Sequence, residues 1–245
     1  MKLHPKALER ASHRLLVGFI LFEVLIVVIY LGSILLTGKP YPPFDMDGQM
    51  TVPSLLQAFL LFTIGFISLI FFKVDRSSSQ PPSRFFLLTV GVLMMYASAD
   101  EVFKIHLQLH SLLHTPHDRD WLRGYILIFL MVPTVFLRDF VGIWKLYRRE
   151  TFLALLGMGI FALGGFGAEI IKYKILQPLL WRFFPHHPHF ILFVEKTRVA
   201  FEEFAEALGE TVIVFGILLF VAKRLQQDTP VSREKGSHEQ TDESV

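Results

Sequence analysis

The sequence predicts an all-α membrane protein: a polytopic bundle of six transmembrane helices with both termini cytoplasmic. Three observations carry this. Of the 245 residues, 52% are hydrophobic, above what a soluble domain needs for its core. Those residues fall into long runs, each of a length to cross a bilayer. The lysines and arginines gather in alternate connections, as expected when every second loop stays in the cytoplasm.

The spans follow in order. A short basic stretch (Lys2, Lys6, Arg10, Arg14) precedes an apolar run over 15–37. That run is longer than a signal-peptide core and lacks a small-x-small cleavage pattern, so it reads as a retained span. Glu23 lies within it, where a polar residue is expected to face another helix. A loop rich in Pro and Asp leads to the second span, 52–72, which carries no charge. The third, 85–109, ends in a polar stretch holding Asp100, Glu101, Lys104 and His106, with His110 just beyond. The fourth covers 121–137 and leads into the basic, Trp-containing connection Trp144 to Arg149.

The fifth span, 152–176, holds Gly157, Gly159, Gly164, Gly165 and Gly167, together with Glu169, Lys172 and Lys174. Small residues let helix backbones approach closely, within the chain or across a homo-oligomer, and both stay open here. Residues 177–196 read as an interfacial segment, 197–222 as the sixth span and 223–245 as a disordered cytoplasmic tail. The transmembrane domain is thus 1–222, expected in the inner (cytoplasmic) membrane with lipid as its solvent.

The sixth span contains the feature that most needs an explanation. At about 100° per residue, Glu202, Glu203, Glu206 and Glu210 fall within an arc of roughly 100° on one helix face. Each charge facing lipid would cost about 2–3 kcal/mol, so that face must meet protein, water, a cation or protons. Placed by depth, Asp100, Glu101, His106, Glu169, Glu202, Glu203 and Glu206 occupy one outer slab, with Glu210 nearer the midplane.

Three readings are open. One is a metal site, with Glu101, Glu169, Glu203 and Glu206 as carboxylate ligands, His106 as imidazole ligand and His110 as auxiliary. Hard oxygen donors with few nitrogens favour iron, manganese or zinc. A metal-activated water could then act on a lipid-like or quinone-like substrate, making the protein an enzyme. The second is a proton- or cation-coupled transporter using the same acids, above all Glu206 and Glu210. The third is a non-catalytic scaffold, in which Lys104, Lys172, Lys174 or Arg198 neutralise some of the glutamates. Asp100, Lys104, Glu202 and Glu210 complete the polar cluster in every case.

His106 and His110 at i, i+4 share a face and could share a metal. In a regular helix, however, Glu101 and His106 stand roughly 140° apart. The Glu-x4-His spacing also differs from the Glu-x-x-His of di-iron bundles. The histidines at 114, 117, 186, 187 and 189 read as solvated loop residues, with capture of copper or zinc at the surface as the alternative.

Other chemistries are excluded. The absence of Cys rules out disulfides and thiolate ligands. A net charge of +2 implies no nucleic-acid partner. There is no phosphate-binding Gly loop and no Gly-x-Ser-x-Gly elbow.

The run Ser98-Ala99-Asp100-Glu101, followed after four residues by His106, resembles a motif of uncharacterised bacterial multipass membrane proteins. In those proteins a later span carries a lone Glu, and the last span carries Glu-Glu-x-x-Glu-x-x-Gly. The counterparts here are Glu169 and Glu202-Glu203-x-x-Glu206-x-x-Gly209. Leu107 stands where that pattern has a second Glu. The resemblance implies a shared site across the third, fifth and sixth spans, without an assigned reaction.

Overall fold

The structure is a computed structural model, and it describes residues 4–74, 80–105, 108 and 120–228. The chain is all-α, with no strand among the described residues. The helices are α1 (Pro5–Thr37), α2 (Val52–Val74), α3 (Arg84–Phe103), α4 (Asp120–Val135), α5 (Leu137–Leu146), α6 (Arg148–Phe183) and α7 (Pro188–Asp228). Five of them are long and apolar enough to cross a membrane, or six spans if the bent pair α4–α5 is counted as one.

The helices differ from the expected spans at identifiable points. α1 begins at Pro5, because Pro is favoured in a first helical turn and nothing in the basic stretch breaks a helix. It ends at Gly38, which takes the left-handed conformation (φ 73°) and donates its N–H to the carbonyl of Ile34. The expected range 85–109 is interrupted: α3 ends at Phe103, and Ile105 and Gln108 beyond it are again helical. Lys104 adopts φ 47°, ψ 49°, a left-handed conformation that stops the helix at Phe103. At the other end of α3, Ser83 caps by accepting from the Phe86 N–H.

The fourth expected span, 121–137, is interrupted at Phe136, and α4 and α5 are bent by 66°. Phe136 is buried against Phe85 and Phe86 of α3, which holds this corner in place. α5 is amphipathic, with Leu137, Val141 and Trp144 exposed beside Arg138 and Lys145. That is the pattern of a helix lying along a membrane surface. The segment expected to be interfacial, 177–196, is helical on both sides of a turn at 184–187: α6 runs on to Phe183, and α7 starts at Pro188. α7 also continues past 222 to Asp228, and the rest of the expected tail lies outside the described residues.

α7 is the centre of the bundle. Half of its most apolar window is buried, against 17% for α1 and for α3. It packs along α6, α1 and α2, with Phe71 of α2 against its Phe220, while α3 packs on α2. The α6–α7 seam is a backbone contact. A Cβ on Gly157 would lie 2.5 Å from the Gly209 carbonyl, and one on Gly209 would lie 2.6 Å from the Gly157 carbonyl. Gly164 faces Ala205 in the same way, so these glycines serve packing within the chain. The outward faces are lipid-like, with Leu21, Val28, Phe59, Phe85 and Leu127 exposed.

α1 and α7 are antiparallel. His13 packs edge-on to Phe215, and Glu23 meets Thr211. Near that same end, Arg224 of α7 reaches Tyr147 and the carbonyl of Pro81 in the α2–α3 connection. The opposite end holds the α1–α2 loop, where Asp47 pairs with Lys196 of α7 at 3.4 Å.

Candidate functional site

The polar residues converge on the face of α7 that looks toward α1, α2 and α6. Their arrangement follows from the 3.6-residue period. Glu203, Glu206 and Glu210 advance by three and four residues, so they remain on one face while descending about 10 Å along the axis. Ala205, Ala207 and Gly209 between them are buried and small, and this lets the neighbouring helices close around the acids.

At the loop end, Arg198 pairs with Glu202 one turn on and lies 3.5 Å from Glu195. Lys104 turns back to Glu101, Nζ to Oε1 at 2.7 Å. The left-handed conformation of Lys104 accompanies this i,i+3 pair: the residue that ends α3 also supplies a cation to its last turn. Gln108 Nε2 donates to the Phe103 carbonyl, satisfying one of the acceptors left at the helix end. Asp100 is 6% exposed and belongs to the same end of α3.

One turn deeper, Gln57 of α2 donates from Nε2 to both the main-chain carbonyl and the Oε2 of Glu203, at 3.2 and 3.1 Å. Glu206 leans on α6: a Cβ on Gly165 would collide with Glu206 Oε1. Gly165 lies in the first of two π-helical turns of α6, Leu163–Gly167 and Lys172–Leu176. Such turns occur frequently at functional sites. Between the two turns is Glu169, whose backbone continues the helix and whose side chain lies outside the described residues.

Deepest are Glu210 of α7 and Glu23 of α1, each 2% exposed. Thr211 Oγ1 donates to Glu23 Oε1 at 2.6 Å. Among the described residues, Glu23 Oε2, Glu210 Oε2 and the Tyr30 hydroxyl are buried without a hydrogen-bond partner. Burying an ionised carboxylate without a partner is very expensive, so oxygens at this depth call for a cation or a proton.

The structure therefore brings together Glu101, Lys104, Glu202, Glu203, Glu206 and Glu210 of the expected cluster. His106 and His110 lie outside the described residues. Among the described residues, no group of three His, Asp or Glu side chains is arranged to hold a metal ion. Gln57 and Thr211 are not among the expected site residues. Glu23 is expected to make a polar contact with another helix, and its bond from Thr211 is that contact, beside the acidic face of α7. An uncharged Gln in an otherwise apolar span is a faint signal. It gains meaning only when α2 is seen against Glu203.

The comparisons add a family and no more. No curated protein and no solved structure matches the chain. A family match covers residues 18–222, from the first turns of the apolar part of α1 to the last buried turn of α7. It therefore takes in every element that contributes to the polar seam, and on that extent the chain belongs to the family described as a domain of unknown function, DUF8692.

Proposed function

We propose that this chain is an integral membrane protein that conducts protons, with Glu203, Glu206 and Glu210 as a file of carrier groups leading from one end of the bundle toward its middle. The observation that carries the reading is the descent of these acids along one face of the central helix, ending at Glu210 and Glu23, where oxygens are buried without partners. Successive carboxyls are separated by three or four residues, about 4.5–6 Å of helix rise, a step that one water can bridge. Ionisable groups at this depth characteristically mark such relays. The Glu101–Lys104 and Arg198–Glu202 pairs sit at the mouth of the file.

The test is flux. Protein reconstituted into liposomes with an entrapped pH dye, under an imposed potassium diffusion potential, is expected to acidify faster than empty liposomes. Glu206→Gln and Glu210→Gln are each expected to reduce that rate at least tenfold. Equal rates in wild type and both variants, with altered stability only, would reassign the seam to helix packing and leave a scaffold role.

A second reading has its own support. The left-handed Lys104 ends α3 three residues after Glu101, so a regular helix that would hold Glu101 and His106 about 140° apart is not continuous past Phe103. A carboxylate–imidazole site for iron, manganese or zinc would draw on Glu101, Glu203 and Glu206, with Glu169, His106 and His110 completing it. A metal-activated water there would suit a lipid-like substrate entering from the bilayer. Elemental mass spectrometry on purified wild type beside Glu203→Ala decides it. A stoichiometric metal lost in the variant supports the site, and its absence from reconstituted wild type removes it.

A further inference from the structure

Between α1, α2 and α7 lies a small cavity of about 10 Å³, lined by the polar side chains of Glu23, Gln57 and Glu203. Its other walls are apolar, including Ile26, Leu56 and Phe204. That volume admits one water-sized sphere. Glu23 is 2% exposed, and its Oε2 has no partner among the described residues. Gln57 spends its amide N–H on Glu203, which leaves its amide oxygen as an acceptor. The polar lining thus offers oxygen donors only, the set preferred by hard cations.

Charge and size narrow the choice. Glu203 accepts a hydrogen bond from Gln57, which offsets part of its charge. Glu23 has one oxygen engaged by Thr211 and one left over. Both carboxylates already accept a hydrogen bond and the cavity admits a single sphere, so the charge left to offset suits one monovalent ion. The geometry points to a monovalent cation site: one sodium-sized ion held between Glu23, Gln57 and Glu203, linking α1 and α2 to the central helix. It shares Glu203 and the unpartnered Glu23 oxygen with the proton file, but a sodium-dependent midpoint and proton flux are separate readouts, so either can fail without the other.

The experiment is thermal unfolding of the full chain in detergent at fixed pH and ionic strength, in sodium, potassium or choline chloride. Because an ion that binds only the folded state stabilises it, the wild-type midpoint is expected to rise by about 5–11 °C as sodium replaces choline up to a hundredfold excess over its dissociation constant. Potassium is expected to do less. Glu23→Gln is expected to abolish the sodium effect, and Glu206→Gln, outside the cavity, to keep it. Identical wild-type midpoints in all three salts would overturn the site, as would a sodium effect undiminished in Glu23→Gln. Should Glu23→Gln fail to fold, binding of radioactive sodium to Gln57→Leu is decisive: loss supports the site, and wild-type binding refutes it.

Discussion

Thr211 of α7 donates a 2.6 Å hydrogen bond to Glu23 of α1, and this is the polar tie between the two antiparallel helices at the depth of Glu210. Thr211 is 1% exposed, so water cannot replace its hydroxyl. Thr211→Val keeps the shape and removes the donor. Stability is expected to fall by about 1–3 kcal/mol, the cost of leaving a buried acceptor unsatisfied. Thr211→Ser, which retains the hydroxyl, should recover most of it. Denaturant unfolding in detergent micelles reads both; equal stability of the Val and Ser variants would show that the bond contributes nothing.

The α6–α7 seam predicts opposite signs for two similar changes. On Gly209 a methyl would meet the Gly157 carbonyl at 2.6 Å and the Phe161 N–H at 2.7 Å, so Gly209→Ala must push two backbones apart. A loss of about 1–3 kcal/mol is expected. Gly159 has nothing within 4 Å of its would-be methyl. Gly159→Ala should therefore gain about 0.5–1 kcal/mol from helix propensity and reduced unfolded-state freedom. Parallel thermal melts check the pair, and the same sign for both would contradict the close approach.

Gly165 offers a way to disturb Glu206 without altering it. Gly165→Ala places a methyl where Glu206 Oε1 rests, and the flexible side chain must turn away. Proton flux is expected to fall toward that of Glu206→Gln while stability changes little. Flux unchanged from wild type would show that the position of Glu206 against α6 is unimportant.

Lys104 combines a strained backbone with a useful charge. Its left-handed conformation costs about 1–2 kcal/mol for a residue with a Cβ. Lys104→Gly and Lys104→Ala both lose the pair with Glu101, but only glycine relieves the strain. The glycine variant is expected to be more stable than the alanine variant by about 1 kcal/mol. Chemical denaturation of the two, side by side, measures the difference, and alanine matching glycine would argue against a left-handed turn here.

The acids of α7 could be read from the sequence because a helix has one period: once 197–222 is helical, Glu202, Glu203, Glu206 and Glu210 must share a face. The glycines of α6 could be read for the same reason, as a stripe inviting close approach. Gln57 and Thr211 could not, since an uncharged polar residue inside an apolar span has no preferred partner until another helix is set against it. The end of α3 was hidden differently. Lys104 has no local signal for a left-handed turn, and its conformation accompanies the Glu101 pair at the helix end.

The sequence by itself determined the all-α membrane architecture and the one-sided burial of the carboxylates, because hydrophobic run length and helical period are local properties that lipid enforces. Only the tertiary structure decided which helix is central, that the interhelical partner of Glu23 is Thr211 beside Glu210, and that Gln57, Glu23 and Glu203 enclose a common space. Those relations depend on which helices touch and at what height. Helix neighbours are chosen by backbone contacts such as Gly157 to Gly209, whose geometry exists only once the bundle is assembled.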